Sequence, residues 1–259
     1  TLEEIDVRNT KLVQNICDLS IISFLKIYAR INKDLKLLEY RNHEKLNQRI
    51  PNYKVKMGFG LHIGWAIEGA IGSEYKIDAS YLSPNVNMAS RLEAATKQYG
   101  VPLLISGALY NKCSKGMKDI MRHIDRVTVK GSTQPVDFYT IDCDLSDLPA
   151  CTPKQFTKSE IRVKRKLSKM QIYQEIIENE ARASDLIVTD KDLRVMTKGN
   201  GVGPFYETFK AGFKSYLKGD WSSAKRKFEE CFTLQPDDGP THNLYEFLKE
   251  NDFIAPEEW

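Results

Sequence analysis

Apolar residues at three- and four-residue spacing open the chain. Leu12, Ile16, Leu19, Ile22, Leu25, Tyr28 and Ile31 predict one helix over residues 9–32 with a broad buried face. Leu35–Asn47 predicts a second, more polar helix that ends before Pro51. The period then changes to two. Tyr53, Val55, Met57, Phe59, Leu61 and Ile63 alternate with Lys, Gly and His, which predicts a strand with one apolar face. Gly64 interrupts it, and Trp65–Ile71 reads as a second strand turning at Gly72-Ser73. Asn85–Tyr99 is helical, with Val86, Ala89, Leu92 and Ala95 on one stripe. Val101–Ile105, His123–Val129 and Val136–Ile141 predict further strands, with a short helix over Leu109–Met117. The fold class is α+β, a helix-covered sheet that ends near Asp144.

Residues 145–203 form the next region. The stretch 144–160 is polar, contains two prolines and lacks a period, as a linker does. Val163, Leu167, Met170, Tyr173 and Ile177 then follow helical spacing, with Lys154, Lys158, Arg162, Lys164, Arg165, Lys166 and Lys169 crowded at the start. Such a basic amphipathic helix suits a membrane surface or a nucleic acid. Glu175, Glu178 and Glu180 reverse the charge, so a solvated face packed on neighbouring protein is the preferred expectation. Gly199–Pro204 punctuates again. Over 204–259, Gly212, Gly219, Ala224, Phe228 and Pro236 sit at the offsets of a single tetratricopeptide unit, with Thr241–Lys249 as a capping helix. Tyr216 lies one place late for that pattern and Cys231 replaces a small residue, so a generic helical hairpin is the alternative.

Composition narrows the classes. The 38 Lys and Arg against 35 Asp and Glu leave a formal net charge of +3, too small to argue for nucleic acid. Lys and Arg break up the apolar run around Leu19–Ile31, so no bilayer span is expected. Five scattered cysteines without C-x-x-C spacing exclude a disulfide framework and a zinc ribbon, and favour a reducing compartment. The chain starts at Thr1 without a signal-peptide pattern, which reads as a piece of something longer.

Common catalytic motifs (G-x-S-x-G, H-E-x-x-H, Walker A) are missing. His62 alternates with apolar residues in a strand and is expected to be structural. Residues 57–97 are more informative. They carry G-x-H-x-G (Gly60, His62, Gly64), then Gly69 and Gly72-Ser73, then V-N-x-A-x-R (Val86, Asn87, Ala89, Arg91). Val129–Gly131 adds a distal V-K-G. Over about residues 50–143 the chain resembles the C-terminal half of class III adenylate and guanylate cyclase catalytic domains of protist type, with a ferredoxin-like sheet covered by helices.

The resemblance implies a chemistry. A cyclase attacks the α-phosphate of a nucleoside triphosphate with the ribose 3′-hydroxyl and expels pyrophosphate. Charge builds on the phosphoryl oxygens, so the site needs fixed donors and cations. Asn87 and Arg91 are four apart and share a helix face. By resemblance, Asn87 positions the ribose, Arg91 stabilises the pentavalent phosphorus, and Lys130 holds the terminal phosphates. Ser80 stands where the family reads the purine. A hydroxyl donates or accepts, so Ser80 leaves adenine and guanine both open. Ser83-Pro84 departs from the family's usual Gly-Asp before V-N.

The family binds two Mg2+ or Mn2+ through two aspartates upstream of the G-x-H-x-G strand. Residues 1–50 show neither family segment, and Asp6, Asp18 and Asp34 fall in or beside helical sequence. The metal ligands are therefore expected outside this chain. The implied partners are a second cyclase domain sharing the site, a protein on the helical tail, and ATP as substrate. The implied location is the cytoplasmic side, with membrane or ciliary attachment through segments outside this chain. The alternative, from another class, is a catalytically silent scaffold or structural subunit of a larger assembly, such as a ciliary one, that keeps the cyclase fold for dimerisation.

Overall fold

The computed structural model describes residues 11–128, 134–152, 154, 156–175, 181–256 and 259. The chain begins with α1 (Lys11–Lys33), α2 (Leu35–Leu38) and α3 (Glu44–Arg49). Strands β1 (Phe59–Leu61), β2 (Ile67–Ser73) and β3 (Lys76–Leu82) precede α4 (Pro84–Tyr99) and β4 (Leu103–Ser106). Two short helices, α5 (Gly107–Lys112) and α6 (Lys115–Lys118), lead to β5 (Arg122–Val127) and β6 (Val136–Thr140). Then come α7 (Lys158–Tyr173), α8 (Leu186–Thr189), α9 (Lys191–Met196), α10 (Pro204–Leu217), α11 (Trp221–Leu234) and α12 (Gly239–Glu250). The described elements form a mixed α+β structure with an all-helical tail.

Two compact units interleave along the sequence. One comprises Thr1–Met57, Lys112–Asp119 and Cys143–Lys198; the other comprises Gly58–Asn111, Ile120–Asp142 and Gly199–Trp259. Chain crossings between the units at Asp142/Cys143 and Lys198/Gly199 lie near the sequence divisions at 144 and 203, while each unit also gathers segments remote in sequence.

In the first unit α1 is the central helix. By length and composition it is apolar enough to cross a membrane, contrary to the expectation from the sequence, since too few charges interrupt its middle. Here it buries Asn15, Cys17, Asp18, Ile21, Ile22, Leu25 and Ala29. Asn15 donates to the Ala181 carbonyl at 3.2 Å and accepts from the Ala183 amide at 2.9 Å. Asp18 accepts from the Ser114 amide at 3.1 Å, and burial raises its carboxyl pKa. Asn15 is thus a satisfied polar group of a core helix, whereas Asp18 keeps its Oδ2 buried without a hydrogen-bond partner.

The predicted helix over Leu35–Asn47 is broken. Asp34 caps α2 through the Lys36 amide, and His43 is extended before α3 begins. Helix α7 begins at a capping box between Thr157 and Glu160, and its described side chains are exposed from Lys158 to Ile172. The expected basic amphipathic helix is thus present, with a solvated face.

In the second unit a four-stranded sheet has the order β1-β4-β6-β5, and β2-β3 is a separate two-stranded ribbon. Strands β1 and β4 are parallel, with Phe59 opposite Leu103 and Leu61 opposite Ile105; β6 is antiparallel to both β4 and β5. The predicted strand over Tyr53–Ile63 shrinks to Phe59–Leu61, because β4 pairs with only three of its residues. The ribbon turns at Glu74-Tyr75 rather than Gly72-Ser73, with Ser73 opposite Lys76. Strand β3 was not anticipated from the sequence. The predicted Leu109–Met117 helix is two helices separated by the Ser114 cap, and Val86 of the predicted α4 stripe is exposed.

One apolar cluster joins sheet, α4 and tail. Leu92, Tyr99, Leu104, Ile124 and Phe138 pack with Phe209, Phe213, Trp221, Phe228, Leu244 and Leu248. Full burial of each such side chain contributes roughly 1.5–3 kcal/mol. Beside Phe209 lies a charged centre. Arg122 of β5 donates to Asp142 at 2.9 and 2.7 Å and to Asp238 at 3.0 and 2.7 Å. Its guanidinium also lies 5.2 Å from the Phe205 ring centroid and 4.6 Å from that of Phe209. Asp238 in turn caps α12 through the Thr241 amide at 2.9 Å and hydroxyl at 2.6 Å. Burial by itself would discharge Arg122, but the two carboxylates hold it protonated.

Candidate active site

The G-x-H-x-G segment fastens the start of α4. A side chain at Gly60 would meet the Ala89 carbonyl and the Glu93 amide at 2.3 Å, so only glycine lets β1 lie this close to the helix backbone. A side chain at Gly64 would meet the Asn85 amide group at 2.2 Å, so glycine there leaves room for Asn85. Between them, His62 reaches both ways. Its Nε2 lies 3.0 Å from Asn85 Oδ1 and its Nδ1 lies 2.8 Å from Ser106 Oγ.

The protons on this chain of bonds follow from donor and acceptor chemistry. Asn85 Nδ2 donates to the Trp65 carbonyl at 2.9 Å, which turns Oδ1 towards His62. Nε2 of His62 must then carry the proton, and Nδ1 accepts from the Ser106 hydroxyl. The expectation of a structural, hydrogen-bonded His62 agrees with this arrangement. Ser83 completes the clasp. Its Oγ donates to the Trp65 carbonyl at 2.5 Å and accepts from the Asn85 amide at 3.0 Å. Ser83-Pro84 thus starts α4 as N-cap and first helical residue, a pairing favoured because proline lacks an amide hydrogen there.

This network holds the helix that carries two of the sequence-predicted residues. Asn87 and Arg91 are both exposed on α4, one turn apart. Ser80 is half-buried on β3 opposite Gly69, three residues before the Ser83 cap. Lys130 and the V-K-G motif at 129–131 lie outside the described residues. The sequence reading missed the roles of Asn85, Ser83 and Ser106. A Ser-Pro pair at a helix start was the available signal for Ser83; Ser106 gave none, because it reaches His62 only through the β1–β4 pairing.

No group of three or more His, Cys, Asp or Glu among the described residues is arranged to hold a metal ion. Asp18 is buried on α1 with its Oδ1 taken by the Ser114 amide, and Asp34 caps α2. These donors do not fit a two-metal site.

Comparison with known proteins gives this geometry a family. Residues 15–142 match the family model "Adenylate and Guanylate cyclase catalytic domain". The chain is 31% identical over 104 residues to Adenylate cyclase 1 of Rhizobium meliloti (strain 1021), covering 40% of this chain and 15% of that protein. It is 34% identical over 89 residues to an adenylate cyclase of Anabaena cylindrica, covering 34% of this chain and 18% of the relative. The chain thus spans less than a fifth of the length of these relatives. A solved bacterial light-regulated adenylyl cyclase is 24% identical over 43% of this chain and 28% of its own, with a TM-score of 0.29. The matched segment runs from within α1 to the end of β6 and includes the whole clasp around His62. Residues 15–142 of this chain therefore belong to the adenylate and guanylate cyclase catalytic domain family.

Proposed function

We propose that this region forms the transition-state half of an adenylate cyclase site completed by a second cyclase domain. The ribose 3′-hydroxyl of ATP attacks the α-phosphorus and gives up its proton to solvent, the bond to the β-phosphate oxygen breaks, and cyclic AMP and pyrophosphate leave. Asn87 orients the ribose, Arg91 neutralises charge on the pentavalent phosphorus, Lys130 holds the terminal phosphates, and Ser80 reads the base. Mg2+ or Mn2+ ligands come from outside the described residues, so no step is assigned to the metal here. The tail is proposed as a tetratricopeptide-type hairpin that binds a protein partner.

The observation that carries the reading is the exposed Asn87–Arg91 pair on a helix whose first turn is locked by His62, Asn85 and Ser83. A fixed helix start costs the reaction no reorganisation when charge develops, the condition under which a cation is most effective. The adenylate cyclase relatives support ATP over GTP. The exposed two-stranded ribbon supports a shared site: Trp65, Ile67, Tyr75, Ile77 and Tyr81 are all more than half exposed. A ribbon of two strands with such a surface gains stability by covering it.

Base choice tests Ser80. The chain is mixed with a cyclase domain that carries both metal aspartates but lacks its own Asn and Arg, and turnover of ATP and GTP is compared. Ser80→Asp is expected to raise the ATP/GTP ratio by roughly tenfold or more, because a carboxylate accepts from the adenine amino group and repels guanine O6. An unchanged ratio removes Ser80 from base reading. No product from either nucleotide, in a confirmed complex, favours the scaffold.

A further inference from the structure

The cyclase reading leaves α7 unused, and its surface is unusual. Val163, Leu167 and Met170 are 57%, 59% and 59% exposed and fall at i, i+4 and i+7, so they form one apolar stripe. Lys158, Arg162, Arg165 and Lys169 fall at i, i+4, i+7 and i+11 on the other side, and Lys164 and Lys166 flank the stripe. Glu160 is the only acidic residue of this helix, and its carboxylate is already committed to the Thr157 cap. A helix that leaves its apolar residues from Ile161 to Ile172 exposed and concentrates cations is costly to leave bare in water, and it repels any basic partner.

We infer that α7 docks on an anionic lipid bilayer, lying in the plane of the headgroups with Val163, Leu167 and Met170 turned into the acyl boundary. Charge complementarity selects an anionic surface. The stripe selects lipid over nucleic acid, since phosphate and base contacts have no use for three adjacent aliphatic side chains. It also selects lipid over a shaped protein pocket. The stripe is aliphatic throughout and lacks the aromatic anchors that dominate protein interfaces. A helix sunk about 5–10 Å into the headgroup layer brings the flanking Lys164 and Lys166 to phosphate level and leaves the opposite cations in the anionic surface field. The long lysine stems can lie along the apolar boundary while the ammonium groups stay among the phosphates. Ile161 and Ile172 lie on the cationic side and take no part in this docking. They give the orientation a separate check.

The test is flotation of the 259-residue chain with phosphatidylcholine vesicles that do or do not contain phosphatidylserine. Binding is expected only with phosphatidylserine present, and it should fall as salt is raised. Arg162→Gln with Arg165→Gln should weaken partitioning roughly 25-fold, from about fivefold for each cation. Leu167→Glu should abolish it, whereas Ile161→Ser with Ile172→Ser should leave it within about twofold. All these positions are exposed, and circular dichroism checks that each variant keeps its helix. Equal binding to both vesicle types, or none to either, overturns the inference. So does loss of binding in the Ile161/Ile172 variant with Leu167→Glu unaffected, the pattern of a partner seated on the opposite face. Binding to RNA or to an acidic protein without binding to phosphatidylserine vesicles overturns it as well.

Discussion

Arg91→Ala is expected to lower cyclic AMP turnover by roughly 100- to 1000-fold in the complemented enzyme, the scale for losing one contact to a developing oxyanion. The guanidinium meets its full charge only when phosphorus is pentavalent. KM for ATP should therefore change far less than kcat. Arg91 is exposed on α4, outside the His62–Asn85–Ser83 clasp, so the variant should keep its fold. Arg91→Lys should recover only part of the rate, because an ammonium is a point charge and cannot present two parallel N–H groups to phosphoryl oxygens. Near-wild-type kcat in a folded Arg91→Ala protein would remove Arg91 from the reaction.

Arg122→Ala is expected to cost about 3–5 kcal/mol of unfolding free energy, because it strands the buried Asp238 carboxylate and leaves the partly exposed Asp142 unpaired from it. The side chain of Arg122 is 6% exposed and that of Asp238 is 7% exposed, so solvent cannot replace the lost partner. The loss should reach the tail as well as the sheet, since Phe205 and Phe209 of α10 lie against the guanidinium and Asp238 caps α12. Acid should reveal the same centre. Burial tends to raise the Asp238 carboxyl pKa, but the hydrogen bonds and charge of Arg122 bring it below the ordinary value. A depressed folded-state pKa gives stability that is present above the unfolded value of about 4 and disappears as pH falls through the folded one. Denaturant melts at several pH values should show this acid loss in the parent chain and a shallower one in Arg122→Ala. A variant within 1 kcal/mol of the parent, by the same melts, would show that the ion pairs do not hold sheet and tail together.

The sequence announced much of the helix content and little of its placement. Periodicity located α1 and α4, and the Thr241–Lys249 expectation located α12, to within a few residues, because a buried stripe leaves a local trace. It overextended the strand before Gly64. Alternation records which face is apolar, but strand length depends on a partner, and β4 offers β1 only three residues. The same limit applies to α7: local spacing revealed an amphipathic helix, but nothing local shows whether another element covers it.

The site was legible in a different way. Gly60, His62 and Gly64 drew attention as a motif, and their physical purpose is close packing against α4 and room for the Asn85 amide. The Ser83-Pro84 departure from the family pattern is a helix cap. Arg122, Asp142 and Asp238 were not legible at all. The two outer members are separated by 116 residues, and an ion-pair centre has no period.

A shared site, as proposed, takes its transition-state groups from this chain and its metal carboxylates from a second cyclase domain. The most direct measurement is cyclic AMP production from ATP and Mn2+ by the chain, with and without an added cyclase domain that bears both metal aspartates but no Asn or Arg of its own. No product is expected from the chain alone, and product is expected from the mixture. Activity in the chain alone, or silence in the mixture despite a complex confirmed by sedimentation, would contradict the shared site.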